Sequence, residues 1–459
     1  MTRGADPGPE AGVTEQLLDP RAPDDVSPAL AAAARALDGR QVWHVNTTAL
    51  GGGVAELIRV TVPEHTAAGV GSRWLVTQAP TGFFTMTKQL HHLLHGMPGN
   101  GRALTPADGA DYAAITAEHA AAVLRRAGRG DLVVLHDPQT LGLAPALRDA
   151  GMRVIWRSHI GTRRESARTA SAWRFLAPFL DGVHQLVFTS PSYVPAHLSG
   201  RAVAIIPPAI DPRSPRCRPM PAGEISAVLG AIGLQNGPPI ADLATAARVV
   251  QDEHLPADAP VVAQISRWDP LKDMRGVLEA FAAEIAPGGP SHLVLAGPDP
   301  DEVADDLENR AVLADVLDAY ARLPPPVRRR VHLAILRLSA REANGRIVNA
   351  VQRRATVLVQ KSLREGFGLA VTEAMHKRRP VVASAVGGIV EQITHRVHGL
   401  LVPPRDARAL GAAVRELLGD PGLATSLATA AGAHCDRTFL VAREHERYAR
   451  LFLAAVSEP

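Results

Sequence analysis

Two glutamates and two glycines lie in one short segment in a pattern suited to ligand binding. The segment EGFGLAVTE places Glu365 in a turn after an apolar strand, and Glu373 follows eight residues later in the helix expected from about Leu369. Gly366 and Gly368 let the backbone approach a ligand closely. The free amides of the helix start can hold a phosphate. At this spacing, one carboxylate can reach a sugar hydroxyl while the other reaches a ribose. The alternative is a solvated helix start with a favourable acid.

Two cations follow another apolar strand, in the segment QISRWDPLKD. Arg267 and Lys272 are separated by a turn that contains Pro270, so both side chains can point at one anionic group. Two cations suit a diphosphate on which negative charge grows as a bound group leaves. Two exposed surface cations are the alternative. Lysine is rare in this chain, which makes Lys272 a stronger candidate for binding the diphosphate.

Polar residues also follow strands in the first half of the chain. His159 ends the segment RVIWRSH, where α/β sheets place ligand-binding groups, although a lone histidine often only packs or hydrogen-bonds. In the segment HDPQ, His136 and Asp137 could bind a polar acceptor, or Asp137 could cap a helix after Pro138.

The segment NTTALGGG links the first strand to the first long helix. Gly52 and Gly53 could bring backbone amides to a phosphate at the helix start, although a flexible turn explains a glycine run equally well. Asn46 ends the strand and is a further candidate for binding the acceptor.

Short β-branched segments alternate with amphipathic ones, which predicts an α/β fold with parallel sheets covered on both faces. The predicted strands are 41–45, 72–77, 131–136, 153–158, 185–190, 202–207, 261–266, 292–297, 331–336, 356–361, 380–385 and 399–403. The pattern therefore predicts two tandem doubly wound domains. Ligands bind at the carboxyl ends of such strands, and the cleft between two facing sheets is the expected site.

Composition changes along the chain predict the domain boundaries. We expect a mobile tail over 1–38 with a short helix at 28–37, a first domain over 39–212 and a proline-rich linker over 213–258. A second domain follows over 259–437. The final helix lies within 438–459 and could pack on the first domain.

The bulk composition excludes several classes of protein. Net charge is only +3 and aromatic residues make up 4%, so we expect no nucleic-acid groove. The sequence has no long apolar stretch and no signal-peptide pattern, and two distant cysteines fit a cytoplasmic protein without a zinc site. No Asp-x-Asp metal motif stands out, and no tightly bound cofactor is expected. A homodimer is common for enzymes of this size.

The motifs resemble those of the retaining GT-B glycosyltransferases with an E-x7-E motif, which have two Rossmann-like domains facing across a cleft. More narrowly, the chain resembles the glycosyltransferring trehalose synthases. This resemblance covers about residues 41–403 and rests on the strings HVNTTALGGGVAEL, LHDPQ, IWRSHI, PPAIDP, QISRWDPLKD and KSLREGFGLAVTEAM.

The resemblance implies a role for each matching residue. Arg267 and Lys272 would bind the donor diphosphate, Glu365 the hydroxyls of the donor sugar, and Glu373 the ribose. The remaining donor contacts would come from His159 beside the sugar, from Gly52, and from the amides of Phe367, Gly368 and Leu369. The implied reaction joins glucose from a nucleoside-diphosphate glucose to free glucose, giving trehalose with retained configuration.

Three other functions remain open on the sequence. Gly161 stands where trehalose synthases usually have an aspartate, and residues 213–260 diverge, which permits a different acceptor. A phosphorylase that uses phosphate and trehalose is a further variant. Intact Arg267, Lys272, Glu365 and Glu373 argue against a sugar-nucleotide-binding protein without activity, which binding without turnover would support. A dinucleotide oxidoreductase would need G-x-G-x-x-G after a first strand, and neither half contains it.

Overall fold

A computed structural model of the protein describes residues 12–19, 27–49, 53–302 and 307–457. Contacts divide the chain into two compact units, Met1–Pro208 with Val441–Pro459 and Ala209–Leu440. Each unit contains one mixed sheet with seven strands among the described residues. Helices cover both faces of each sheet, so the predicted pair of doubly wound α/β domains is confirmed.

The first unit begins with alternating strands and helices. Its strands are β1 Val13–Gln16, β2 Val42–Asn46, β3 Ser72–Thr77, β4 Leu132–His136, β5 Arg153–Ser158, β6 Gln185–Phe188 and β7 Val203–Ile205. Its helices before residue 209 are α1 Pro28–Leu37, α2 Gly53–Ala67, α3 Thr81–Leu94, α4 Pro106–Leu124, α5 Ala144–Asp149 and α6 Ala167–Leu180.

The second unit repeats this plan. Its strands are β8 Ala247–Val250, β9 Val261–Ile265, β10 His292–Pro298, β11 Val331–Leu336, β12 Val357–Gln360, β13 Val381–Ser384 and β14 Leu400–Val402. Its helices are α7 Ala222–Ala231, α8 Ala241–Ala244, α9 Met274–Ala280, α10 Leu307–Ala321, α11 Pro325–Arg328, α12 Arg341–Arg354, α13 Leu369–His376, α14 Ile389–Gln392, α15 Ala407–Gly419 and α16 Pro421–Thr438. The chain then returns to the first unit with α17 Val441–Ser457.

Strand order places a switch point in each sheet. The first sheet runs β1-β3-β2-β4-β5-β6-β7 and the second β14-β13-β12-β9-β10-β11-β8. All pairings are parallel except those of β1 with β3 and of β8 with β11. The order reverses between β2 and β4 and between β9 and β12, and ligands of doubly wound sheets bind at the carboxyl ends of strands at such points.

Apolar strands and capped helices build the cores. The strands β2, β4, β11 and β12 are buried along their whole length, as parallel strands covered on both faces must be. Side chains of Thr105, Ser166 and Asp406 accept hydrogen bonds from the first-turn amides of α4, α6 and α15, which satisfies donors that a helix start leaves open. These elements hold the loops at the carboxyl ends of the strands in place.

The structure differs from the predicted boundaries at the N-terminal end and in the middle, whereas the final helix packs on the first unit as predicted. Residues 13–16 form an edge strand, and α1 packs against α17, so the described part of 1–38 belongs to the first unit rather than to a mobile tail. The proposed linker over 213–258 contains α7, α8 and β8, and its buried side chains, such as Val228 and Leu229, join the core of the second unit. Tertiary packing thus orders both stretches.

Candidate active site

The loop after β9 carries the predicted cations. The Asp269 carboxylate accepts a hydrogen bond from the Leu271 amide at 2.8 Å, which starts a short helical turn over Pro270–Lys272. Its other oxygen lies 2.7 Å from Nη2 of Arg267. The Arg267 side chain is 55% exposed, so it is accessible to an anionic ligand while Asp269 orients it.

Lys272 and Glu365 meet at the end of the sheet. The Lys272 ammonium donates to both carboxylate oxygens of Glu365, at 2.7 and 2.6 Å. Ser362 donates a third hydrogen bond to Glu365 at 3.0 Å, and the Leu363 amide bonds to the Leu271 carbonyl at 2.7 Å. The side chains of Lys272 and Glu365 are 16% and 9% exposed. Two segments predicted separately to bind one ligand therefore form a single cation–carboxylate pair.

A buried glutamine fixes both loops at the switch point between β9 and β12. The Gln264 side chain donates to the Lys272 carbonyl and accepts from the Lys361 amide, each at 2.8 Å. The Lys361 ammonium is paired with Asp273, which has left-handed backbone (φ 50°). Because Gln264 is fully buried, the spacing of the two loops is set from inside the sheet.

The glycine turn after β12 leads into α13 with open amides. Gly368 has φ 94° and precedes the helix without a side-chain cap, a conformation that favours glycine. Among the described residues, the amides of Leu369 and Ala370 have no hydrogen-bond acceptor. Gly388 packs against this turn so closely that a Cβ there would lie 2.5 Å from the Gly366 carbonyl oxygen. The helix start can therefore accept a phosphate.

Glu373 is held by a different set of side chains in the second unit. Its carboxylate accepts a hydrogen bond from the Gln352 side chain at 2.7 Å and lies 3.7 Å from the Arg216 guanidinium. Gln352 in turn accepts from Lys377 at 2.5 Å. The Glu373 side chain is buried, so the residue predicted to bind ribose is held between α12, α13 and the loop that contains Arg216.

Three histidines form a chain at the switch point of the first sheet. Nδ1 of His44 lies 3.1 Å from Nε2 of His136, and Nδ1 of His136 lies 2.9 Å from Nε2 of His159. The rings are stacked pairwise, with centroids 5.4 and 5.2 Å apart. Burial lowers the pKa of His44 to about 3 and that of the other two well below the usual range, so all three are neutral at neutral pH.

Asp137 orients His159 through the backbone. Its carboxylate accepts a hydrogen bond from the His159 amide at 2.8 Å, and its own backbone is left-handed (φ 62°). Burial raises the pKa of Asp137 to about 7, against the opposing effects of that hydrogen bond and of Arg157. The Asp137 side chain therefore bonds to the backbone of His159 rather than capping a helix after Pro138.

The other predicted residues of the first unit have mixed positions. Asn46 is buried, accepts from the Trp74 indole at 2.8 Å and donates to the Thr48 carbonyl at 2.8 Å, so its amide holds the loop after β2. Gly52 lies outside the described residues, and Gly53 is exposed at the start of α2.

Local packing explains why position 161 is a glycine. A Cβ at this position would lie 2.5 Å from Cβ of Tyr193, which is buried. An aspartate here would therefore displace Tyr193 unless the loop moved, since side chains essentially never approach so closely.

Sequence reasoning missed a buried ion pair beneath the histidines. The Arg157 guanidinium, 1% exposed, lies 2.8 Å from the Glu444 carboxylate of α17 and also contacts the Tyr448 hydroxyl. The sequence contained a sign of it, because Arg157 and His44 are polar residues inside the buried strands β5 and β2. Buried charge is rarely found without a partner, but the strand could not reveal which distant residue supplies it.

One group of metal-ligand side chains occurs in the described residues, away from these loops. His376, Cys435 and Asp436 bring ligand atoms within 4.8 Å of one another. Asp436 is paired with Arg378 at 2.9 Å, and burial raises the pKa of the Cys435 thiol to about 12. These features favour a protonated thiol beside an ion pair. Within the described ranges, no helix is long and apolar enough to span a membrane.

Comparison with known proteins identifies both halves of the chain. Residues 44–195 match the family model "Trehalose synthase, N-terminal domain", and residues 259–420 match "Glycosyl transferases group 1". A trehalose synthase from Rubrobacter xylanophilus is 32% identical over 423 residues, which cover 91% of each chain. A trehalose phosphorylase from Pleurotus pulmonarius is 24% identical, over 86% of this chain and 54% of its own.

Solved structures give the same fold. An α,α-trehalose-phosphate synthase (UDP-forming) from Burkholderia vietnamiensis superimposes with a TM-score of 0.67 at 14% identity, covering 92% of this chain and all of its own. The architecture of two Rossmann-like domains is therefore that of GT-B glycosyltransferases.

Proposed function

Since the chain belongs to the trehalose synthase family of glycosyltransferases, we propose that it transfers glucose from a nucleoside-diphosphate glucose to free glucose. The product would be trehalose, formed with retention of configuration at the transferred carbon. Substrates are the nucleotide sugar and the acceptor sugar, with no tightly bound cofactor in the chemical step.

The observation that carries this proposal is the contact between Lys272 and Glu365 beside the open helix start of α13. A cation and free amides suit a diphosphate, and a carboxylate within the same cluster suits sugar hydroxyls. A nucleotide sugar has these two groups next to each other. Arg267, exposed on the same loop, adds a second cation.

Charge on the leaving group explains how this site would act. As the bond between sugar and diphosphate stretches, negative charge grows on the phosphate oxygens. Lys272, Arg267 and the amides of Leu369 and Ala370 would stabilise that charge from fixed positions. When the donor binds, Lys272 would exchange part of its contact with Glu365 for phosphate, which frees a carboxylate oxygen for a sugar hydroxyl.

The acceptor oxygen would attack the sugar carbon from the face that the diphosphate leaves, so no protein nucleophile is required. Its proton would go to the departing phosphate, so no protein base is required either. Glu365 accepts hydrogen bonds from Lys272 and Ser362. It is therefore poorly suited to act as a nucleophile, the role that a carboxylate has in retaining glycosidases. His159 would lie beside the transferred sugar. His136, Asp137 and Asn46 would act mainly by shaping its surroundings, given their internal hydrogen bonds.

A phosphorylase is the second candidate, because trehalose phosphorylases are also relatives. Phosphate would then take the place of the nucleoside diphosphate beside Lys272. A trehalose synthase with an altered acceptor is a further variant, supported by the packing of Gly161 against Tyr193.

The test measures nucleotide release from a panel of nucleotide-glucose donors with free glucose, and identifies the product by mass spectrometry and by NMR of the anomeric protons. Lys272→Ala and Glu365→Gln are compared with Lys88→Ala and Glu118→Gln, which alter exposed residues of the first unit. We expect both site variants to lose about 2–4 kcal/mol of transition-state stabilisation, which is a decrease in rate of about 30-fold to about 10³-fold. The control variants should keep the wild-type rate.

Wild-type rates in both site variants would remove the donor-site assignment. Trehalose cleavage that requires phosphate, with no turnover of any nucleotide sugar, would establish the phosphorylase instead.

A further inference from the structure

The chain of three histidines couples the protonation of ring atoms that lie far apart. In a neutral imidazole, one nitrogen is a donor and the other an acceptor. His136 uses both nitrogens, one toward His44 and one toward His159. Its tautomer therefore fixes which atom of each neighbour carries a proton.

Only two arrangements satisfy both hydrogen bonds with neutral rings. In the first, His44 and His136 donate from Nδ1, so Nε2 of His159 accepts and its Nδ1 carries the proton. In the second, every proton lies on Nε2 and the direction of donation reverses. The two arrangements differ at the ends of the chain, at Nε2 of His44 and Nδ1 of His159.

The buried end favours the first arrangement. Nε2 of His44 is fully buried and has no hydrogen-bond partner among the described residues. The Arg157 guanidinium is close enough to lower the pKa of His44 further, after the larger effect of burial. A proton on Nε2 would be buried without an acceptor, whereas a proton on Nδ1 is donated to His136.

The other end opens toward solvent. His159 is the partly exposed member of the three, while His44 and His136 are buried. Within the described part of the chain, Nδ1 of His159 has no hydrogen-bond partner. Asp137 holds the backbone of the same residue at 2.8 Å, so the ring and the main chain are both fixed.

We propose that His44 and His136 are positioning residues that keep Nδ1 of His159 protonated, so that His159 offers an N–H donor rather than an acceptor to its ligand. The ligand group is a hydroxyl or phosphate oxygen of the donor substrate, a part of the inference that rests on the proposed function. The substrate-free protein already has the proton on Nδ1.

Nitrogen NMR of the substrate-free protein, labelled with ¹⁵N in histidine, tests the tautomer directly. Long-range ¹⁵N–¹H correlations distinguish Nδ1–H from Nε2–H, and His159→Asn and His136→Asn assign the signals by their loss. We expect Nδ1–H for His44, His136 and His159. An Nε2–H tautomer at His159 would overturn the proposal, and this result needs no enzymatic activity.

Two variants at His44 test the coupling. His44→Leu removes the donor to His136, whereas His44→Asn can place an amide N–H near the position of Nδ1. We expect His159 to become a mixture of tautomers in His44→Leu and to keep Nδ1–H in His44→Asn. If His159 keeps Nδ1–H in a folded His44→Leu protein, the positioning role is refuted.

Kinetics separate this inference from the proposed function. With the best donor of the panel, His44→Leu should lower kcat by about tenfold, the value of one neutral hydrogen bond, while KM changes less and His44→Asn restores kcat. A wild-type protein that has the expected tautomers but turns over no nucleotide sugar would reject the proposed function and leave the tautomer assignment standing.

Discussion

The carboxyl group of Asp137 is buried, which makes its ionisation unfavourable. It is removed from water, and the His159 amide and Arg157 offset only part of the cost, so its pKa rises to about 7. A folded-state pKa above the unfolded value gives stability that is fully present below about pH 4 and is lost as the pH rises through about 7.

Asp137→Asn should remove this loss of stability at rising pH. Asparagine keeps the acceptor for the His159 amide and tolerates left-handed backbone, but it does not ionise. We expect the stability of the variant relative to wild type to increase between about pH 5 and about pH 7.5, by at most about 1.4 kcal/mol per pH unit. Urea unfolding at both pH values measures it. The exposed Asp149→Asn is the control, and an equal pH dependence in Asp137→Asn and wild type would contradict the prediction.

Individual site residues differ in how far the sequence could predict them. Lys272 and Glu365 were predicted because each follows an apolar strand, and the sheet brings the ends of β9 and β12 together. The contact between His44 and His136 was not predicted, although both are visible as polar residues in buried strands. This contact depends on side-chain angles, which spacing along the chain does not determine.

At the level of elements, α17 is attached to β5 by a buried charge pair. Arg157 and Glu444 are each 1% exposed and lie 2.8 Å apart. Burial raises the pKa of Glu444 despite the attraction of Arg157. Removing one member leaves the other charge buried without its partner, which costs more than the intact pair contributes.

Glu444→Ala should therefore destabilise the protein by about 3–5 kcal/mol. Glu446→Ala is the matched control, because Glu446 forms an exposed pair with Arg443 at 2.8 Å in the same helix and such pairs contribute about 0–1 kcal/mol. Urea unfolding monitored by tryptophan fluorescence measures both. Equal losses in the two variants would show that the buried pair has no special weight.

Most elements were predictable, and the exceptions share a cause. The predicted strand segments overlap β2 to β7 and β9 to β14, because each is a short apolar segment between helical ones. The edge strands β1 and β8 were missed. They are four residues long, contain exposed polar residues and pair antiparallel with strands distant in sequence. Such strands owe their conformation to the neighbouring strand more than to their own composition.

For the whole molecule, buried neutral histidines dominate the expected response to acid. Burial lowers the pKa of a group of histidines in both units: His44, His65, His136, His159, His292 and His332. A lowered folded-state pKa gives stability that is present above about pH 6.5 and is lost as the pH falls toward the folded value. Asp137 and Glu444 act in the opposite direction but are fewer.

We expect the free energy of unfolding of the wild-type protein to fall by several kcal/mol between about pH 7.5 and about pH 5.5, since each histidine contributes at most about 1.4 kcal/mol per pH unit. The urea midpoint should fall with it. Circular dichroism at a series of pH values measures the change. A midpoint that is constant or rises over this range would contradict the prediction.

The return of α17 to the first unit has a consequence for synthesis on the ribosome. The whole of Ala209–Leu440 is translated between β7 and α17, so the nascent chain holds a complete second unit before the first can finish its core. Until α17 emerges, Arg157 lacks Glu444 and the face of the first sheet that contains Val134 and Ile155 lacks part of its cover. Domains commonly fold in the order in which they are made, whereas here the inserted unit can be completed first.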